Sequence, residues 1–194
     1  VGRTARWRVA ILDDHEPSRA DVRAAIRAAH GEVAGEAERC ADAVALVRRT
    51  RPDVAIVAVG LPDGDGIEIA ARVTGAEDCP VVLFTSHTGG DLVDRARTAG
   101  IMAYLLKPLR PAELAPALDL AVARFREARA LRRRLADRKI IERAKGALMA
   151  RYALSENDAF RRLRRAAMDS RRPIVEIARA LLMSESMAGD VPTE

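Results

Sequence analysis

The residue types able to handle charged groups fall into two sets. Asp13 and Asp14 follow directly on the apolar run Val9–Leu12, Thr85 closes another run, and Lys107 closes a third. Adjacent carboxylates, a hydroxyl and an ammonium group at the ends of apolar runs suit the binding of a charged ligand. Ala58 ends a further run and brings no reactive atom. The second set is basic: Arg138, Lys145 and Arg151 recur at near-helical spacing, and Arg161, Arg164 and Arg165 follow in the next stretch. Such a cluster makes a compact cationic face for phosphates, with an affinity that falls as salt rises. Cys40, Cys79 and three scattered histidines give no metal-ligand spacing, and the cysteines read as packing residues.

The elements that position these groups are legible from hydrophobic pattern. Apolar runs at 9–12, 33–34, 54–59, 81–85 and 103–106 alternate with Ala-rich amphipathic stretches, which predicts five βα units. Runs such as VAIVAV and VVLF lack polar alternation, as in a parallel sheet covered on both faces. Helix starts are marked at Glu16-Pro17-Ser18 and Pro111, and stops at Gly31 and Gly100. The predicted class is α/β: a five-stranded, doubly wound parallel sheet, then a long coiled-coil helix and a three-helix all-α domain. Ligands of such sheets bind beyond the carboxyl ends of the strands, where Asp13-Asp14, Ala58, Thr85 and Lys107 fall.

Those residues carry a resemblance. Paired acids after strand one, LPDGDG after strand three, FTS ending strand four and YLLKP ending strand five resemble the receiver domain of two-component response regulators over residues 7–123. The resemblance implies that Asp13 and Asp14 hold Mg²⁺, that Thr85 and Lys107 bind phosphoryl oxygens, that Tyr104 reports the state of the domain, and that the Lys107–Pro108 bond is cis. It also implies a sensor histidine kinase or another regulatory protein upstream.

The departure from the family lies at the nucleophile. The phosphoacceptor position implied by the pattern around RPDVAIVAVGLPDGDG is Ala58, which cannot accept a phosphoryl group. Asp53 lies five residues earlier, about 16 Å away along an extended strand, and cannot substitute. Asp63 and Asp65 in the next loop are weak substitutes, and loss of one carboxylate ligand makes Mg²⁺ binding doubtful. Two accounts of Ala58 stay open: a natural receiver that works without phosphate, or an intact one whose nucleophile was replaced. In either, Lys107 has Asp13 or Asp14 to pair with.

From Pro111 to Tyr152 helix formers dominate, interrupted only by Pro116 and Gly146. The apolar series 114, 118, 121, 125, 128 and 135 predicts that the last receiver helix runs on into a coiled-coil linker over 111–136, with Phe125, Ala128, Leu131 and Leu135 closing a homodimer. Beyond it, Ser155 and Asp158 form a helix start and Pro173 precedes another helix. The string IERAKGALMARY followed by DAF and AAMD resembles the ANTAR domain over 131–183, an RNA-binding output module acting in transcription antitermination on paired stem-loops. The resemblance implies that Ala144, Lys145, Gly146 and basic residues of the next helix face RNA loops. Phe160, Leu163, Met149 and Ile141 read as core. A helix-turn-helix reading DNA is the alternative, disfavoured by the lack of a recognisable turn between short helices.

Charge divides the chain in the same way. Residues 1–123 carry 15 basic and 18 acidic side chains, net −3, and 124–194 carry 18 and 10, net +8. With 49% hydrophobic and 31% charged residues, and no run near the ~20 apolar residues a membrane span needs, the chain reads as a cytoplasmic globular protein and not as an enzyme. Residues 1–6 and 184–194 read as disordered tails.

Overall fold

A computed structural model describes residues 6–86 and 89–189. The order of elements is β1 (Arg8–Leu12), α1 (Glu16–Ala28), β2 (Glu32–Ala37), α2 (Cys40–Thr50), β3 (Val54–Ala58), the short pair β4 (Gly60–Leu61) and β5 (Gly64–Asp65), α3 (Gly66–Ala76), β6 (Val81–Thr85), α4 (Gly90–Thr98), β7 (Ala103–Leu106), α5 (Pro111–Tyr152), α6 (Glu156–Ser170) and α7 (Ile174–Gly189). Two compact units divide the chain, 1–127 and 128–194.

In the first unit five parallel strands lie in the order β2-β1-β3-β6-β7. The order reverses between β1 and β3, and the crevice of a doubly wound sheet opens at that point. The unbroken apolar runs have a direct cause. Val9 and Ile11, Val54 and Ile56, and Val82 and Phe84 point to one core with Val22, Ile26, Leu114 and Leu118. Ala10 and Leu12, Ala55 and Val57, and Val81 and Leu83 point to the other with Leu46, Val47, Ile67 and Val73. A strand buried on both faces has no position left for a polar residue. Arg19, almost buried, ties α1 to this sheet: it donates to the Asp13 carbonyl at 2.5 Å and pairs with Glu38 at 2.7 Å.

Helix ends follow the sequence signals closely. His15 caps α1 with Pro17 in the first turn, α5 begins at Pro111, and the Lys107–Pro108 bond is cis. Cys79 is buried, its thiol pushed up to about 12 by desolvation, and Cys40 is half-buried with its thiol pushed up by the same cause.

In the second unit the last part of α5 packs with α6 and α7 around Ala144, Leu148, Ala159, Leu163 and Ala178. Two core expectations are corrected: Leu163 is buried and Ile141 half-buried, but Met149 and Phe160 are exposed, because each is rotated off the inward face of its helix. The tails are also corrected where they are described. Arg6 donates its backbone N–H to His30 and its side chain lies over Trp7, while 184–189 continue α7; residues 1–5 and 190–194 lie outside the described residues. No helix among the described residues is long and apolar enough to cross a membrane.

One backbone approach fixes the carboxyl end of β3. A Cβ on Gly66 would stand 1.8 Å from the Ala58 carbonyl oxygen, and the Gly66 N–H donates to Val59 at 2.7 Å. Only glycine fits, since relief would require backbone to move. Gly66→Ala is expected to destabilise the first unit by about 4 kcal/mol or more, read as a lower urea midpoint with an unchanged slope.

Candidate functional site

At the carboxyl ends of the strands, Asp13 follows β1 fully buried and Lys107 follows β7 partly buried. The Lys107 ammonium stands 2.6 Å from Asp13 Oδ2, yet that oxygen has no aligned donor, so the contact is one of charge more than a directed hydrogen bond. Asp13 Oδ1 accepts the His15 N–H at 3.0 Å. Of the two possible partners for Lys107 the structure selects Asp13, and Asp14 is exposed. Lys107 also lies 4.9 Å from the centre of the Phe84 ring, a cation–π distance. An open cleft of about 380 Å³ borders this group, lined by Thr85, Ser86, Gly60, Phe84, Leu92 and Lys107. Ala58 is buried beside it, paired with Phe84 in the β3–β6 register and followed by the lining residues Val59 and Gly60. Tyr104 is half-exposed beside a smaller groove with Leu83, Val93 and Ile101.

The loop acids that might replace a nucleophile have structural work. Asp63 accepts the Cys40 and Ala41 N–H groups at 2.7 and 3.0 Å, capping α2 from outside, and these bonds hold its carboxyl below the usual range. Asp65 caps α3 through the Ile67 N–H and pairs with Arg95. Asp53, at the far end of β3, accepts the Arg8 N–H at 2.8 Å.

The basic residues of the second unit divide by what holds them. Lys145, expected at an RNA surface, is 8% exposed and sits between Glu142 at 2.8 Å and Glu156 at 2.7 Å. These two carboxylates raise its pKa, and Lys145 in turn lowers that of Glu156. It therefore clamps the end of α5 to the start of α6. Ala144 is fully buried in the core and does not face outward, a second correction. Gly146 is exposed, with nothing within 4 Å of where a Cβ would lie. Successive helical residues point about 100° apart, so three neighbours in one string take three different roles. By the same rotation Arg151 points about 140° away from Arg138, so these two do not share a face. Arg151 and Arg162 instead flank the Tyr152 ring at 5.5 and 4.2 Å.

On α6, Arg161, Arg164 and Arg165 are all exposed, away from Ala159 and Leu163. Arg161 pairs with Asp158, while Arg164 and Arg165 form no ion pair among the described residues. Sequence reasoning missed Lys139 and Arg143, exposed residues that share the face of Gly146 at spacings of four and three. That spacing was itself the available signal.

Comparison with known proteins adds to this geometry. The family model described as the response regulator receiver domain matches residues 9–119, and that described as the ANTAR domain matches 129–182. The chain belongs to the response regulators with a receiver and an ANTAR domain. Over 182 residues, 90% of this chain and 89% of the relative, it is 41% identical to the transcriptional regulatory protein PdtaR of Mycobacterium tuberculosis. It is 36% identical over 113 residues to the DNA-binding transcriptional activator DevR/DosR of the same species, covering 57% of this chain and 52% of that one. Among solved structures it is similar to the receiver domain of a putative response regulator NarL from M. tuberculosis: TM-score 0.55, 34% identity, 60% of this chain and 97% of the other. It is also similar to the receiver domain of a modulated diguanylate cyclase from Desulfovibrio desulfuricans: TM-score 0.58, 26% identity, 63% and 98%.

Response regulators with receivers imply a divalent cation at the paired acids. Here one acid is engaged by Lys107, the other is exposed, and β3 ends in alanine. No group of three His, Cys, Asp or Glu side chains among the described residues comes close enough to hold a metal ion. The Asp13 carboxylate that would hold Mg²⁺ is already paired with Lys107, which weakens the donor set.

The Lys145 clamp makes a pH-dependent prediction. Glu156, depressed below its ordinary 4.5, stabilises the fold above that value and loses the contribution as pH falls through its folded pKa. Lys145, raised above 10.5, contributes fully below that value and loses it as pH rises through its folded pKa. Lys145→Met is therefore expected to lower the thermal midpoint of the second unit at neutral pH, and the deficit should close as pH falls through the depressed pKa of Glu156. A deficit unchanged in acid would mean that packing of the side chain, not its charge, holds the junction.

Proposed function

We propose that this response regulator binds paired RNA stem-loops through its ANTAR domain to cause transcription antitermination in the cytoplasm, with Ala58 at the position where receivers carry the phosphoacceptor Asp. The observation that carries the reading is Gly146. A glycine inside a helix costs about 1 kcal/mol relative to alanine, and no neighbour among the described residues requires it. Lys139 and Arg143 share its face, so a close approach by phosphate and base from outside accounts for all three. Arg138, Arg161, Arg164 and Arg165 extend the cationic surface.

Without a carboxylate at Ala58 the Lys107 charge is met by Asp13, and the receiver is phosphorylation-independent. A kinase or other regulatory partner then acts by contact. Mg²⁺ has no part in this reading.

A DNA-reading output keeps one supporting observation. A three-residue turn, Arg171 to Pro173, with Arg171 in the left-handed region, does join α6 to α7. The turn that sequence reasoning found absent is present, though the helices beside it have 15 and 16 residues. The two readings separate on selection of the full chain against pools of stem-loops with randomised loops and of randomised duplex DNA. Enrichment of RNA pairs of hairpins supports the proposal, and enrichment of duplex DNA overturns it.

Gly146→Ala is expected to stabilise the second unit by about 0.5–1 kcal/mol while weakening binding to the selected RNA. Unchanged binding would remove Gly146 from the interface. Treatment with a small phosphoryl donor and Mg²⁺ should label Ala58→Asp and leave the natural chain unlabelled, as read by intact mass; equal labelling of both would place an acceptor elsewhere.

A further inference from the structure

The two aromatic side chains of the second unit are both exposed, and their surroundings differ. The Tyr152 ring is already flanked by Arg162 at 4.2 Å and Arg151 at 5.5 Å. Phe160, on α6, is 42% exposed and has no hydroxyl to satisfy, and among the described residues no cation lies over its ring. Its free ring therefore stands on a surface that the fold leaves open.

The neighbours of that ring are of one kind. Asn157, Phe160, Arg161, Arg164, Arg165 and Met168 are all exposed and fall within a sector of about 140° around α6, on the side away from the buried Ala159, Leu163 and Ala167. They form two adjacent rows at spacings of four: Phe160, Arg164 and Met168 in one, Asn157, Arg161 and Arg165 in the other. The acids Asp158 and Asp169 lie beyond the edge of the sector, and Asp158 is paired with Arg161. Neither Phe160 nor Met168, which is 69% exposed, belongs to the buried core of the unit.

A face that serves only to be solvated has no need of a ring and a thioether set among arginines. An unpaired nucleotide matches both parts: its base offers a planar face that stacks on an aromatic ring, and its phosphates pair with guanidinium groups. We propose that Phe160 is the platform on which one unpaired base of the RNA loop stacks, with Arg164 and Arg165 at the flanking phosphates and the Asn157 amide at the edge of that base. The proposal rests on the RNA reading above and adds the means by which a loop is told from a stem. Bases inside a duplex are stacked on one another and cannot reach the ring, so only a loop gains this contact. Asn157 lies one turn before Phe160 and forms no hydrogen bond among the described residues, which leaves its donors and acceptor for the base.

Stacking and phosphate contacts separate in salt titrations of the full chain with the selected hairpin RNA. Phe160→Leu should weaken binding by about tenfold or more at every salt concentration and leave the salt slope unchanged. Arg164→Gln should weaken binding mainly at low salt and reduce the slope by about one. Phe160→Tyr, which keeps the ring, should bind like the natural chain. An abasic site placed in turn at each loop position identifies the stacked base. At one position it should cost the natural chain about as much as Phe160→Leu does, and the two losses should not add. At that position Asn157→Ala should narrow the preference among the four bases. Circular dichroism and the thermal midpoint check that each variant keeps the fold.

Natural affinity in Phe160→Leu overturns the proposal. So does a loss in that variant that adds in full to the abasic loss at every loop position, which is the result of a ring that only supports the helix. A base preference unchanged in Asn157→Ala removes the amide from the site. RNA that fails to bind the natural chain overturns instead the function proposed above.

Discussion

A single helix belongs to two hydrophobic cores, and that constraint shapes the rest of the chain. Leu114, Leu118 and Ala121 of α5 are fully buried against the sheet, and Ala144 and Leu148 of the same helix form the centre of the second core. Over 129–139 neither core supplies a contact, so helicity there depends on local propensity. The sequence meets the requirement with Ala, Leu and Arg, all strong helix formers, and with no Gly or Pro between Pro116 and Gly146. Arginine is a good choice for helicity and a poor one for neutrality, which is why this stretch carries most of the charge that the second unit leaves unmatched.

In the first unit the strand ends decide how the charges of the cleft are met. Fixed positions at the ends of β1, β6 and β7 bring Asp13, Thr85 and Lys107 to one rim whatever stands at Ala58. With alanine there, the lysine charge is met by Asp13 at 2.6 Å. A buried carboxylate beside an ammonium is stabilising only while both charges remain, since removing either leaves the other unpaired in a poorly solvated place. This gives Asp13 and Lys107 a structural reason to coexist that is independent of phosphate. Retention of the pocket residues is thus compatible with a receiver that does no phosphoryl chemistry.

Much of the fold is legible in the sequence, for reasons that differ by element. Strands buried on both faces advertise themselves as unbroken apolar runs, and β1, β3, β6 and β7 stood out for that reason. β2 was under-read, as two residues against the six of Glu32–Ala37, because EVAGEA is only half-buried and breaks the run with acids. Caps were legible at Pro17, Pro111 and Ser155, where one side chain or one ring constrains the first turn. The basic surface was less legible. Periodicity tells which residues share a face but not which face is inward, so Lys145 and Ala144 were assigned outward on the strength of a string when the core needed one and the glutamates held the other. Phe160 and Met149 failed in the opposite sense, as apolar residues exposed near the rim of a small three-helix core. Neither error arises from residue type; both arise from helical rotation, which one sequence does not fix.

The net charge of +8 in the C-terminal part gains meaning when each cation is followed to its partner. Lys145, Arg161, Arg172 and Arg179 are taken up by Glu142 and Glu156, Asp158, Glu176 and Asp137. Arg151 and Arg162 lie against Tyr152. Two of these pairings, Lys145 with Glu156 and Arg179 with Asp137, join one helix to another, while Arg132, Arg134, Arg138, Lys139, Arg143, Arg164 and Arg165 are exposed and form no ion pair among the described residues. A merely solvated surface would mix signs, because unmatched like charge raises the free energy of the folded state through self-repulsion. That cost falls when a polyanion is bound, so the distribution favours the bound state over the free one. The same electrostatic term that weakens the isolated chain becomes part of its affinity for nucleic acid.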